Sequence, residues 1–195
     1  MSTVKSKKLQ VGTDATSSNN FTIYQPSTPD GTLRIGVGNA DSPTEVGKFN
    51  SNGYVATNAP AFGAWHDTTQ TLTTSSFTKL LFTTEEFDTN SNFASSRFTP
   101  TVEGYYQINA AMGIVPMNGT IFISIYKNGS EFKRGSFTSD AATAGSRHTQ
   151  VSSIVYANGS TDYFEIYGYQ GSGSNATTRN DQRWTYVNGV LAKAV

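Results

Sequence analysis

Two-residue alternation of apolar and polar side chains constrains this chain more than any other feature. Between Tyr105 and Ile114, residues Tyr106, Ile108, Ala110, Met112 and Ile114 fall on one face, while Tyr105, Gln107 and Asn109 fall on the other. That period belongs to a pleated strand with one buried side and cannot form the stripe of a helix. The same pattern recurs from Phe77 to Phe82, Ile121 to Tyr126, Val151 to Tyr156 and Asp162 to Tyr169, and a last strand is predicted from Trp184 to Leu191. Asn128-Gly129 predicts a tight hairpin, and Asn158-Gly159 predicts the turn between the next two runs. Thr, Ser and Asn supply 64 of the 195 residues, which depletes helix formers and suits polar outer faces and turns. Ten Tyr and twelve Phe argue against disorder. The fold class expected is all-β, and short strands at regular spacing predict a sandwich or jelly roll.

The chain divides in two. Residues 1–58 contain short alternating runs around Leu9–Val11, Phe21–Tyr24, Leu33–Val37 and Val46–Val55, with Asp30-Gly31 and Asn52-Gly53 as tight-turn signals. Their few large apolar groups make a thin independent core, so this segment is read as an attachment and trimerisation stem that gains burial from copies of itself or from a partner. Residues 59–195 carry denser alternation and are read as the head. Ser139–Ser146 and Gly171–Asp181 are soft polar loops at its tips.

Chemistry finds little purchase. Without cysteine there is no disulfide scaffold, thiolate zinc site or cysteine nucleophile. A formal net charge of +0 argues against nucleic-acid binding. No apolar run is long enough for membrane insertion by a helix, and the basic N-terminus leads into polar sequence rather than a signal-peptide apolar region. No G-x-S-x-G elbow, H-E-x-x-H or EF-hand loop is present, and Gly36-Val37-Gly38 lacks the third glycine of a dinucleotide loop. Glu85 and Glu86 alternate in an extended segment and so cannot act as a catalytic pair. His66 and His148 are expected at the surface or an interface. No catalytic residue, metal ligand or cofactor is assigned, and no enzyme is expected.

Several short stretches in residues 60–193 together resemble the C1q/tumour-necrosis-factor-like globular domain. They are Ala61-Phe62-Gly63-Ala64, Phe87-Asp88, Phe98-Thr99-Pro100, Gly104-Tyr105-Tyr106-Gln107-Ile108, Ile125-Tyr126-Lys127-Asn128-Gly129, Asp162-Tyr163-Phe164-Glu165-Ile166 and Asn188-Gly189-Val190-Leu191. Two residues are inserted between Gly159 and Asp162 relative to that family's Gly-Asp, and Val187 stands where it has a closing Phe. Residues 9–58 are similar to the short-stranded stems that precede such domains in bacteriophage fibre and virion proteins. The stretches that carry this likeness are Leu9-Gln10-Val11-Gly12-Thr13, Asp30-Gly31-Thr32-Leu33-Arg34-Ile35-Gly36-Val37-Gly38-Asn39 and Phe49-Asn50-Ser51-Asn52-Gly53-Tyr54-Val55.

The resemblance implies a homotrimeric jelly roll behind a β stem. Tyr163, Glu165, Tyr167 and Tyr169 alternate onto the face of their strand opposite Phe164 and Ile166, which makes them trimer-interface candidates. Trp65, Trp184 and Tyr186 are ligand-binding candidates, since sugar sites combine aromatic rings with polar groups. Lys5, Lys7 and Lys8 are candidates for attachment to an acidic virion surface. The function expected is that of a bacteriophage virion structural protein, displayed on the particle surface, bound to other virion proteins and adhering to a host surface glycan. The alternatives are a capsid decoration protein and a free lectin-like module.

Overall fold

The computed structural model describes residues 8–16, 19–56, 59–115, 119–140 and 145–195. The chain forms two compact units, Met1–Asn58 and Ala59–Val195.

The first unit is one antiparallel meander of β1 (Lys8–Val11), β2 (Phe21–Tyr24), β3 (Leu33–Val37), β4 (Thr44–Asn50) and β5 (Gly53–Ala56), paired in chain order. The register sets Leu9, Ile23 and Ile35 in one row, Val11, Phe21 and Val37 in the next, and Leu33 beside Phe49. With a side-chain period of two, all eight share one face. Lys8, Tyr24, Arg34 and Lys48 form a row on the other. There Arg34 bridges Asp30 at 2.5 Å and Glu45 at 2.8 Å. The β4–β5 turn is Ser51-Asn52, one residue ahead of the predicted pair, because Asn50 and Gly53 already face each other across the hairpin.

The second unit is a two-sheet sandwich. Its strands are β6 (Ala61–Trp65), β7 (Thr71–Leu72), β8 (Ser76–Lys79), β9 (Thr84–Asp88), β10 (Phe93–Ala94), β11 (Arg97–Phe98), β12 (Glu103–Val115), β13 (Gly119–Lys127), β14 (Ser130–Asp140), β15 (Arg147–Asn158), β16 (Phe164–Gly171), β17 (Ala176–Thr178) and β18 (Tyr186–Ala194). A seven-stranded sheet runs β7-β17-β12-β18-β6-β9, with β15 also on β12; a six-stranded sheet runs β10-β11-β16-β13-β14, with β8 also on β16. The Asn128-Gly129 hairpin forms as predicted, with positive φ at both residues (52° and 81°), the conformation of a type I′ turn. The Asn158-Gly159 turn instead leads from one sheet to the other, since β15 pairs with β12 while β16 pairs with β13.

Between the sheets, Tyr106, Ile108, Ala110, Met112 and Ile114 from β12 meet Ile121, Ile123 and Ile125 from β13. Phe62 stacks on Phe93 and Phe98 at 4.8 and 4.3 Å, and Phe98 meets Tyr106 edge-on at 5.4 Å. The Tyr106 hydroxyl donates to Val102 O at 2.6 Å, and burial pushes its pKa up to about 12.

Asp162 joins two of the sequence motifs. Its carboxylate accepts from Asn128 Nδ2 at 2.7 Å and Asn158 N at 3.1 Å, and pairs with Lys127 Nζ at 2.8 Å. Asn158 Oδ1 accepts the backbone N–H groups of Ser160, Thr161 and Asp162, which absorbs the two inserted residues in one side-chain-closed turn.

Candidate interaction face

The two outward faces of the sandwich differ. On the six-stranded sheet, alternation brings Phe122 and Tyr126 of β13 beside Tyr169 and Tyr167 of β16. Phe122 stacks on Tyr169 at 4.5 Å and 9°, and Tyr126 on Tyr167 at 4.0 Å and 26°. Phe77 packs at a steep angle against Phe122, Tyr126 and Tyr169, and Arg134 lies 4.3 Å from the Phe122 ring centre. Rings stacked across neighbouring strands take each other's faces as partners.

The tyrosine row predicted as an interface therefore already has partners within its own chain. Tyr163 has Arg97 4.0 Å over its ring. Glu165 is not an outward surface group, for it is 4% exposed and its Oε1 pairs with both Lys79 (2.7 Å) and Arg97 (2.9 Å). Burial alone would raise its pKa, but the hydrogen bonds from Lys79 and Arg97 outweigh that and hold the carboxyl below its ordinary value.

Uncovered apolar surface lies on the seven-stranded sheet. Tyr105 on β12 faces Tyr156 on β15, with ring centres 5.6 Å apart, and Gln107 lies between Ile154 and Val190 in the same register. Ile154 is 57% exposed, Val190 45%, Tyr105 43% and Tyr156 37%; beyond β6 in the same sheet, Phe87 on the edge strand β9 is 48% exposed. The Tyr156 hydroxyl donates to Glu103 Oε1 at 2.5 Å, and that carboxylate raises the tyrosine pKa.

Next to this apolar end lies a ladder of amides and hydroxyls. Gln107 Nε2 donates to Asn109 Oδ1 and Ser152 Oγ, Ser152 Oγ donates to Asn109 Oδ1, and Asn109 Nδ2 donates to Asn188 Oδ1, all within 2.8–3.1 Å. An open groove of about 600 Å³ runs over the ladder, and Tyr186, Gln150, Arg134 and Ser136 also line it.

The ligand-binding candidates lie at the far end of this sheet. Trp65 and Tyr186 oppose each other across β6 and β18. Trp184 packs over Gly113, where a Cβ would come within 2.9 Å of the Trp184 Cβ. Arg179 lies 4.7 Å over its ring, and His148 meets it edge-on at 5.7 Å. Trp184, His148 and Arg183 line an open cleft.

His66 departs from the surface position expected of it. It is 2% exposed, its Nδ1 bonds Leu81 O, and its Nε2 lies 2.7 Å from Thr178 Oγ1. Leu81 O can only accept, so Nδ1 carries a proton there. The buried ring ties β17 to the segment after β8. Lys8 lies on β1, where its Nζ donates to Asp41 O at 3.2 Å; Lys5 and Lys7 lie outside the described residues. Among the described residues no cluster of three His, Asp or Glu side chains could hold a metal ion, and no helix is long and apolar enough to cross a membrane.

Solved structures share this two-sheet arrangement. The globular domain of zebrafish complement 1qA superposes with a TM-score of 0.53 at 15% identity, over 70% of this chain and 98% of that one. Murine APRIL at pH 8.0 gives 0.54 at 9% identity, over 68% and 98% of the two chains. Eiger TNF from S. frugiperda gives 0.53 at 8% identity, over 70% and 93%. The second unit has a C1q/TNF-like jelly-roll fold. At these identities the likeness extends to the fold alone. No protein-family model and no curated protein matches the chain.

This exposed face passed unnoticed in the sequence because it is assembled from three strands. Tyr105, Gln107 and Asn109 were legible as the outer side of β12. Ile154, Tyr156 and Val190 join them only once β15 and β18 take their places on either side.

Proposed function

We propose that the chain is a bacteriophage virion structural protein, a homotrimeric fibre-like appendage exposed on the particle. The N-terminal unit anchors it to other virion proteins, and the jelly-roll head meets a host surface glycan. The observation that carries this reading is the outward face of the seven-stranded sheet, where an exposed apolar cluster adjoins a polar groove with an aromatic wall. The apolar end suits homotypic packing, because Tyr105, Tyr156, Ile154 and Val190 lie exposed on three adjacent strands, with Glu103, Lys127 and Lys193 at their border. The groove, with Tyr186 beside Asn109, Asn188, Gln150 and Ser152, offers the ring-plus-amide chemistry that saccharides need. The virion assignment is supported by the likeness of residues 9–58 to phage stems and by their folding as a separate unit.

Antibodies against the head, applied to purified particles under the electron microscope, should label a surface appendage. Particles without label overturn the virion reading. The purified head on a glycan array should retain acidic or neutral polysaccharide, and Tyr186→Ala should abolish retention. Labelled particles whose head binds no glycan would make the protein a shell decoration and remove the adhesive role.

A further inference from the structure

We propose that the apolar face of the N-terminal five-stranded sheet is the inner wall of a three-sheet prism, closed by the same face of two other copies of this chain. The inference rests on the homotrimer reading above and assigns that reading a second, independent interface. Leu9, Val11, Phe21, Leu33 and Phe49 are 60, 53, 48, 48 and 45% exposed, yet all point to one side of one sheet. Among the described residues no second layer lies over this face of the sheet, although a sheet with one apolar face needs one.

Three features select copies of the chain as the cover. First, among the described residues no Asp, Glu, Lys or Arg lies on this face, while Lys8, Arg34, Glu45 and Lys48 lie on the opposite one. A charged partner surface would be left unpaired against it, whereas the face itself is a matching uncharged surface. Second, the five side chains leave on the order of 500 Å² of apolar area open per copy, a large part of the roughly 800 Å² per partner that a stable interface buries. Third, the arrangement turns the Arg34–Asp30–Glu45 side outward, where a virion partner can reach it. A closed ring of like faces also uses up the whole patch, which prevents open-ended association.

The absence of cysteine makes the test clean. Leu33→Cys and Gln10→Cys, on opposite faces of the sheet, are made one at a time in the full chain. The prism predicts that Cys at 33 reacts with maleimide about tenfold more slowly than Cys at 10. It also predicts that a short bismaleimide joins copies through position 33 and not through position 10. Equal labelling overturns the proposal, and so does protection without cross-linking between chains, which would mean that the chain covers its own face. A second measurement separates this interface from the head. Full-length Ile154→Asp should remain trimeric by light scattering, and adding Leu33→Asp should release monomers. If wild type is a trimer and Ile154→Asp alone is a monomer, the prism is wrong and the homotrimer stands. If wild type is itself a monomer, the homotrimer reading fails first.

Discussion

Ile154→Asp in residues 59–195 puts the head interface under the sharpest strain. Ile154 is 57% exposed on the outer side of β15, so the lone head loses little: at most about 1 kcal/mol from a poorer strand former at a surface position. In a trimer closed over this face the balance differs. Full burial of an isoleucine side chain is worth roughly 1.5–3 kcal/mol, so the open share of Ile154 contributes about 1–1.5 kcal/mol per subunit. A carboxylate forced into the same apolar contact adds several kcal/mol of desolvation per copy. Over three subunits the loss is on the order of 10 kcal/mol, about seven decades in the trimer constant at 1.4 kcal/mol per decade. Light scattering across a wide concentration range should show a trimeric head for wild type and a folded monomer for the variant, which melts lower because the trimer no longer stabilises it. A variant head that stays trimeric at the same concentrations refutes the assignment of this face. Tyr167→Ser is the counterpart on the other sheet. Because Tyr167 stacks on Tyr126 within the chain, it should lower the melting temperature and leave the trimer intact.

Other expectations follow from single side chains. Glu165→Gln leaves Lys79 and Arg97 without a buried counter-charge and should cost about 2 kcal/mol in urea unfolding, the partners' own exposure softening the loss. The Glu165 and Asp162 carboxyls both titrate below their ordinary values when folded, Asp162 because its hydrogen bonds with Lys127, Asn128 and Asn158 N outweigh burial. Their stabilisation is therefore fully present above the unfolded carboxyl range near pH ~4 and fades as pH falls through the folded values, a dependence that Glu165→Gln should flatten. In the β10–β11 turn, Ser95 and Ser96 both hold positive φ. Ser95→Asn should stabilise by about 0.5 kcal/mol, since asparagine tolerates that conformation better. Ser96→Gly should destabilise by about 1 kcal/mol, because the Ser96 hydroxyl satisfies the buried Phe82 N–H. Thr22 Oγ1 is buried without a hydrogen-bond partner, so Thr22→Val should raise the melting temperature of the N-terminal unit in calorimetry.

Period and punctuation carried much of the architecture. The alternation from Tyr106 to Ile114 named the inward face of β12, all five of those residues are in the core, and Asn128-Gly129 closed the hairpin it implied. Alternation specifies which side of a strand a residue takes, because that is local geometry. It does not specify which strand lies alongside or which side is left uncovered. For that reason Tyr163, Tyr167 and Tyr169 read as an unpartnered row until Phe122, Tyr126 and Arg97 were seen against them. Glu165 read as an outward carboxylate until Lys79 and Arg97 closed over it from β8 and β11. His66 read as a surface group for the same reason, its partners Leu81 and Thr178 lying 15 and 112 residues away.

By itself the sequence determined the all-β class, the polar outer faces, most of the strands and the turn at Asn128-Gly129, since each depends on neighbours one to four residues apart. Only the tertiary structure decided that the tyrosines of β16 stack on rings of their own chain and that Tyr105, Ile154, Tyr156 and Val190 share one exposed face. It likewise decided that the apolar sides of four thin strands in the first unit add up to one exposed wall. Those are properties of registers between distant segments, and a one-residue slip in any of them would turn the same side chains to the opposite face.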